Sequence, residues 1–183
     1  MGSTEAGSRS ALHALMAALP GEGELLLSHL QDKESILKGD FEIHTGKLAG
    51  DQVLLAFSGL GKINAAAAAA TMLASFPVSR LWMWGSAGAY PHKDVELSDL
   101  ALASEEILGD EGVATLSSWQ SLDAIGIPLA KTAGGPIFNQ IPVDRLELKR
   151  AWRLLSDWRP ASAATQIHEG PFVTVSGVSG SLA

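Results

Sequence analysis

At 183 residues the chain can enclose a core of its own, and 46% hydrophobic against 18% charged residues is the balance of a globular protein. A formal net charge of −7 argues against nucleic acid as a partner, because phosphate binding rests on clustered Lys and Arg. The absence of cysteine excludes disulfides and thiolate metal sites, Met1 to Ser10 lack the apolar core of a signal peptide, and no apolar run approaches the roughly 20 residues of a membrane helix. A cytoplasmic protein with no membrane partner is expected.

In chain order, Leu12, Leu15, Met16 and Leu19 fall on one helical face, predicting a helix over Ser10 to Leu19 that Pro20-Gly21 ends. Leu25 to Leu30 reads as helix or strand. Phe41 to Leu48 alternates as a strand, and Ala49 to Gln52 forms a turn into a strand at Val53 to Phe57. The alanine-rich stretch Ile63 to Ala74 is helical by propensity and stops at Phe76-Pro77. Leu81 to Trp84 and Asp99 to Ser104 read as strands, with Glu105 to Gly112 an acidic loop. Pro142 to Trp158 is an amphipathic helix with Leu146, Leu148, Trp152 and Leu155 inward. Phe172 to Ser176 is a last strand running into Gly177 to Gly180.

Two glycine turns carry the chemistry. Ser58-Gly59-Leu60-Gly61-Lys62 links a strand to a helix, and Gly85-Ser86-Ala87-Gly88 follows the next strand. Such turns lie at the carboxyl ends of parallel strands, where open α/β sheets bind ligands. Backbone N–H groups at Ser58, Gly59 and Gly61 can receive a water, a hydroxyl or an anion at a helix start, although a plain tight turn has the same composition. Small neighbours let a ligand approach Ser86, Ala87 and Gly88 closely. A dinucleotide fingerprint needs a third glycine and an acidic end to the next strand. Asn64 and Gly85 occupy those places instead. The carboxylates of Glu105, Glu106, Asp110 and Glu111 lack an EF-hand pattern, and His13, His29, His44, His92 and His168 lack metal-ligand spacing, so no metal is expected.

Thr45-Gly46, Ser58 to Lys62, Trp84 to Gly88 and Ser98 to Ala103 resemble the purine nucleoside phosphorylase and nucleosidase superfamily. Ser104 to Val113, Trp119, Ile125 to Leu129 and Phe138 to Asp144 are similar to futalosine hydrolase within it. The resemblance implies a three-layer α/β domain over residues 1–183, its central mixed sheet flanked by helices, acting without a cofactor and as a homo-oligomer. It implies hydrolysis of the N-glycosidic bond of a purine nucleoside, futalosine yielding hypoxanthine in a route to menaquinone. A methylthioadenosine or adenosylhomocysteine nucleosidase is the alternative within the class.

By the same resemblance, a glutamate soon after the first strand aligns the attacking water, and Glu5 is similar to that position. Ser86 orients the nucleoside. Val175, Ser176, Gly177 and Val178 line the purine, while Phe138 and Asn139 meet the non-purine end of the substrate or a neighbouring subunit. Related nucleosidases stack an aromatic ring on the base where this chain has Gly180 and Ser181.

The layer rule for α/β domains predicts a fold incomplete at both ends, lacking its first strand and truncated after Ala183. There the family carries a Met-Glu pair for the ribose and an aspartate for the leaving group. Losing that acid would lower the rate on the order of 10²–10⁴. A non-catalytic, nucleoside-binding remnant is therefore a further reading.

Overall fold

The computed structural model describes residues 12–90, 94–158 and 165–177. They belong to two compact units, one ending at Gly88 and the other beginning at Ala89.

In the first unit, β1 (Leu12–Ala17) leads through a 3-10 turn (Pro20–Glu22) into a short α1 (Glu24–Ser28). Then follow β2 (Gln31–Lys38), β3 (Phe41–Leu48), β4 (Asp51–Phe57), α2 (Lys62–Ser75) and β5 (Val78–Met83). The sheet has the order β2-β3-β4-β1-β5. β1 runs parallel to both neighbours, with Leu15 opposite Leu55 on one side and Trp82 on the other. β2, β3 and β4 form an antiparallel meander, so the sheet is mixed.

Both faces are covered. Ala14, Ile43, Leu54 and Ala56 pack with Met72 of α2 on one side. Leu30, Val53 and Leu55 pack on the other with Leu26 and Leu27 of α1, Phe57 and Trp84. This helix–sheet–helix layering is the α/β architecture expected from the sequence. Within the helix expected over Ser10 to Leu19, Leu12–Ala17 is a strand, so the sheet has a leading strand where none was expected. A strand buried on both faces loses its alternation and becomes a continuous apolar run, which periodicity alone cannot tell from a helix. Parallel pairing on both edges decides the matter in favour of the sheet.

In the second unit, β6 (Leu100–Leu108) is followed by two hairpins, β7 (Gly112–Ala114) with β8 (Trp119–Ser121) and β9 (Ala130–Thr132) with β10 (Gly135–Ile137). β11 (Gln140–Pro142), α3 (Arg145–Asp157) and β12 (Ile167–Thr174) complete it. β6 is the middle strand, antiparallel to β11 and parallel to β12. Glu105 and Glu106 thus lie inside a strand rather than in the acidic loop expected, because pairing on both edges overrides their poor strand propensity. Burial raises the carboxyl pKa of Glu106. Asp144 caps α3 by accepting from the Leu146 and Glu147 N–H groups, and Leu148 is buried.

The β6–β12 pair is pinned at its start. The Asp99 carboxylate, 3% exposed, accepts from Gln166 N–H at 2.8 Å, Glu96 N–H at 2.9 Å and His168 Nε2 at 2.9 Å. These bonds, Gln166 first, hold its pKa at about 2.

Candidate functional site

β1, β4 and β5 end together, and the three segments that leave them converge. Ser58 N–H donates to the Ala17 carbonyl and Gly59 N–H to that of Ala18, each at 2.9 Å, while Trp84 N–H donates to Met16 at 3.1 Å. The strand order places this point beside β1, where β4 leaves on one side and β5 on the other. It is the crevice at the carboxyl ends of parallel strands.

Glu22 sits there. Its Oε1 accepts from the Ser86 N–H at 2.9 Å, and its Oε2 accepts from Ala18 at 3.1 Å and Leu19 at 2.9 Å. The Ser86 amide leads, then that of Leu19, in drawing the carboxyl pKa below the usual glutamate range. The group is therefore an anion at neutral pH, with its lone pairs partly committed to fixed donors. Its backbone carbonyl accepts the Trp84 indole N–H at 2.8 Å.

The two glycine turns have distinct roles. Gly59 and Gly61 hold φ of 81° and 94°, which only glycine adopts without strain. They carry the chain from β4 into the first turn of α2. Ser58 is buried and donates its hydroxyl to the Gly59 carbonyl at 2.9 Å, so that hydroxyl shapes the turn. In the second turn Ser86, Ala87 and Gly88 are exposed. A Cβ at Gly85 would stand 2.8 Å from Glu22 Oε1, so a larger residue there displaces the carboxylate.

The structure thus gathers Ser58, Gly59, Gly61, Ser86, Ala87 and Gly88 at one sheet edge and adds Glu22, which sequence reasoning missed. Glu5 and Val178 lie outside the described residues. Glu22 is the first acidic residue after β1. The signal is Glu22 two residues beyond Pro20 and directly after an apolar run, where Pro20-Gly21 alone reads as a helix stop.

Phe138, Asn139, Val175, Ser176 and Gly177 belong to the second unit. Asn139 spends its amide within the protein. Nδ2 donates to the Leu108 and Glu111 carbonyls at 2.8 and 2.7 Å, and Oδ1 accepts from Leu122 N–H at 2.8 Å. Ser176 N–H donates to Asp110 at 2.6 Å, fixing the exit of β12. A cleft of about 440 Å³ lined by Lys149, Trp152, Arg153, Ser156 and Glu169 includes none of these residues. Among the described residues no group of three or more His, Asp and Glu could hold a metal ion, and no helix is long and apolar enough to cross a membrane.

The sequence profile of the Phosphorylase superfamily matches residues 13–182. The chain belongs to that superfamily. A 5′-methylthioadenosine/S-adenosylhomocysteine nucleosidase of Maridesulfovibrio salexigens is 35% identical over 91 residues, half of this chain and 39% of the relative. That of Aeromonas salmonicida is 33% identical over the same spans. The Neisseria meningitidis nucleosidase, solved with methylthio-immucillin-A, superposes with a TM-score of 0.67 at 25% identity, covering 89% of this chain and 64% of that one. The Colwellia psychrerythraea nucleosidase with adenine gives 0.74 at 22% identity, over 92% and 64%. The superfamily chain here thus matches about two-fifths of the length of its curated relatives.

Proposed function

We propose that this superfamily member carries the nucleoside site of a purine-nucleoside N-glycosidase, with 5′-methylthioadenosine or S-adenosylhomocysteine as substrate. The observation that carries the reading is the ionised Glu22 carboxylate, held against the Ser86 turn at the ends of β1, β4 and β5. In this reading Glu22 orients a water toward the anomeric carbon. The bond from that carbon to the purine nitrogen breaks through an oxocarbenium-like state, which the nearby anion stabilises. The water oxygen joins the sugar and its proton is passed on, the purine leaving with both bonding electrons and acquiring a proton. Ser86, Ala87 and Gly88 position the sugar and the water. The superfamily match runs through both compact units, which supports a single domain over the chain. A homo-oligomeric cytoplasmic enzyme accords with that reading.

Futalosine is the second reading, supported by the resemblance of Ser104 to Val113, Ile125 to Leu129 and Phe138 to Asp144. The two are separated by assaying the purified chain with methylthioadenosine, adenosylhomocysteine and futalosine. Adenine from the first two is the expected product. Hypoxanthine from futalosine alone would transfer the assignment to the second reading. A folded chain that releases neither purine would refute hydrolysis, and stabilisation by the nucleosides without turnover would mark a binding remnant.

A further inference from the structure

We infer that Trp84 is a positioning residue for Glu22, an inference that rests on the catalytic reading of that carboxylate. The indole N–H donates to the Glu22 carbonyl at 2.8 Å, while the Trp84 backbone N–H donates to Met16 of β1. One residue therefore fixes the end of β5 to β1 and the turn after β1 to the end of β5.

The neighbouring residue shows how closely the turn is held. A Cβ on Gly23 would meet Phe57 Cε1 at 2.6 Å and Trp84 Cζ2 at 3.1 Å. Phe57, the last residue of β4, and Trp84, the first after β5, thus press two rings against the backbone of residue 23, while the indole N–H grips residue 22. Phe57 is backed in turn by the buried His44 ring, edge-on at 6.3 Å, whose Nδ1 is bonded to Ser35 Oγ at 2.8 Å. The apolar body of Trp84 packs with the second core cluster, and its one polar atom is used on the turn. Phenylalanine would fill the body and leave the grip undone. The Glu22 carboxylate then depends on its own three backbone bonds to keep its place, with its main chain free to shift.

The test compares the wild-type chain with Trp84→Phe and with a chain in which 3-benzothienylalanine, an indole isostere lacking the N–H, replaces Trp84. Glu22 is followed by carboxyl ¹³C NMR titration, its resonance assigned from Glu22→Gln. Kinetics with methylthioadenosine are measured in parallel. Both variants should titrate Glu22 closer to the ordinary glutamate range. kcat should fall by about 10²-fold, the size a misplacement of about 1 Å produces, with KM little changed. A purely packing role would raise KM and lower stability while leaving the Glu22 titration in place. A folded variant, of either kind, whose Glu22 titrates as in the wild type overturns the inference. Should Trp84→Phe fail to fold, the isostere decides alone. A wild-type chain that releases no purine would sink the catalytic reading, and the Glu22 titration would still settle whether Trp84 positions it.

Discussion

Gly85 and Gly88 stand in the same exposed turn, yet replacing them with alanine should have unlike effects. A Cβ at Gly88 would meet nothing within 4 Å, so Gly88→Ala should lie within about 0.5 kcal/mol of the wild type. At Gly85 the Cβ would stand 2.8 Å from Glu22 Oε1 and 3.3 Å from its Cδ. Restoring ordinary contact requires the carboxylate to retreat by roughly 0.6 Å or more, which takes the 2.9 Å bond from Ser86 N–H to the limit of a hydrogen bond. A hydrogen bond to a charged group is worth about 1.5–3 kcal/mol, but Ser86 is exposed and water takes over the donor. A loss of about 1 kcal/mol is the result. The clashing atom ends a flexible side chain, so the fold survives and the damage concentrates on Glu22. Its pKa is depressed by the Ser86 bond first, so that bond stabilises the fold above the unfolded glutamate value and ceases to do so as the pH falls through the folded one. Gly85→Ala should therefore raise the Glu22 pKa and flatten the acid limb of stability. Urea midpoints from pH 7 down to pH 3, with carboxyl NMR of Glu22, read both effects. Equal shifts in the two variants, or a Glu22 titration untouched by Gly85→Ala, would refute the contact argument.

In the second unit, Asp99→Asn should lose the stability that the Gln166, Glu96 and His168 bonds confer. The folded pKa of about 2 lies below the ordinary 3.8, so this contribution is present above 3.8 and vanishes as the pH falls toward 2. Wild-type urea midpoints should drop across that window and those of the variant should drop less; parallel curves would show that Asp99 does not govern it. Asn139→Asp retains an acceptor for Leu122 N–H but sets a carboxylate against the Leu108 and Glu111 carbonyls. The loss should be about 1–3 kcal/mol, with faster amide exchange around Leu122. Undiminished stability would show that the three-way clip contributes nothing.

The elements that the sequence revealed were those whose local preference and tertiary setting agree. Ile63 to Ala74 became α2 (Lys62–Ser75), because alanine favours helix in any setting and Phe76-Pro77 ends it. Phe41 to Leu48 became β3, with Ile43 in the core cluster on one face and Leu48 packed against the cluster on the other. The β2 strand was not legible: Gln31 to Lys38 is an edge strand, almost wholly exposed, and its charges guard that edge instead of marking a buried face. The hairpins β7–β8 and β9–β10 were hidden for a related reason, since strands of three residues are too short to show a period.

The most consequential misreading, at Leu12 to Leu19, began as a question of period and became one of chemistry. The apolar positions 12, 15, 16 and 19 satisfy a helix, while burial between β4 and β5 requires a strand, and the two point to different places for the water-aligning glutamate of the proposed reading. A helix over Ser10 to Leu19 leaves Glu5 as the glutamate near its start. A strand over Leu12–Ala17 carries the chain to the crevice, and the next acidic side chain is Glu22. The local composition then becomes intelligible. Pro20 starts the tight turn, Gly23 leaves room for two rings, and Gly85 leaves room for the carboxylate itself. Pro20, Gly23 and Gly85 together bring an anion to the carboxyl ends of the parallel strands. Only the partner strands, from Val53 and Val78 onward, show which ends these are.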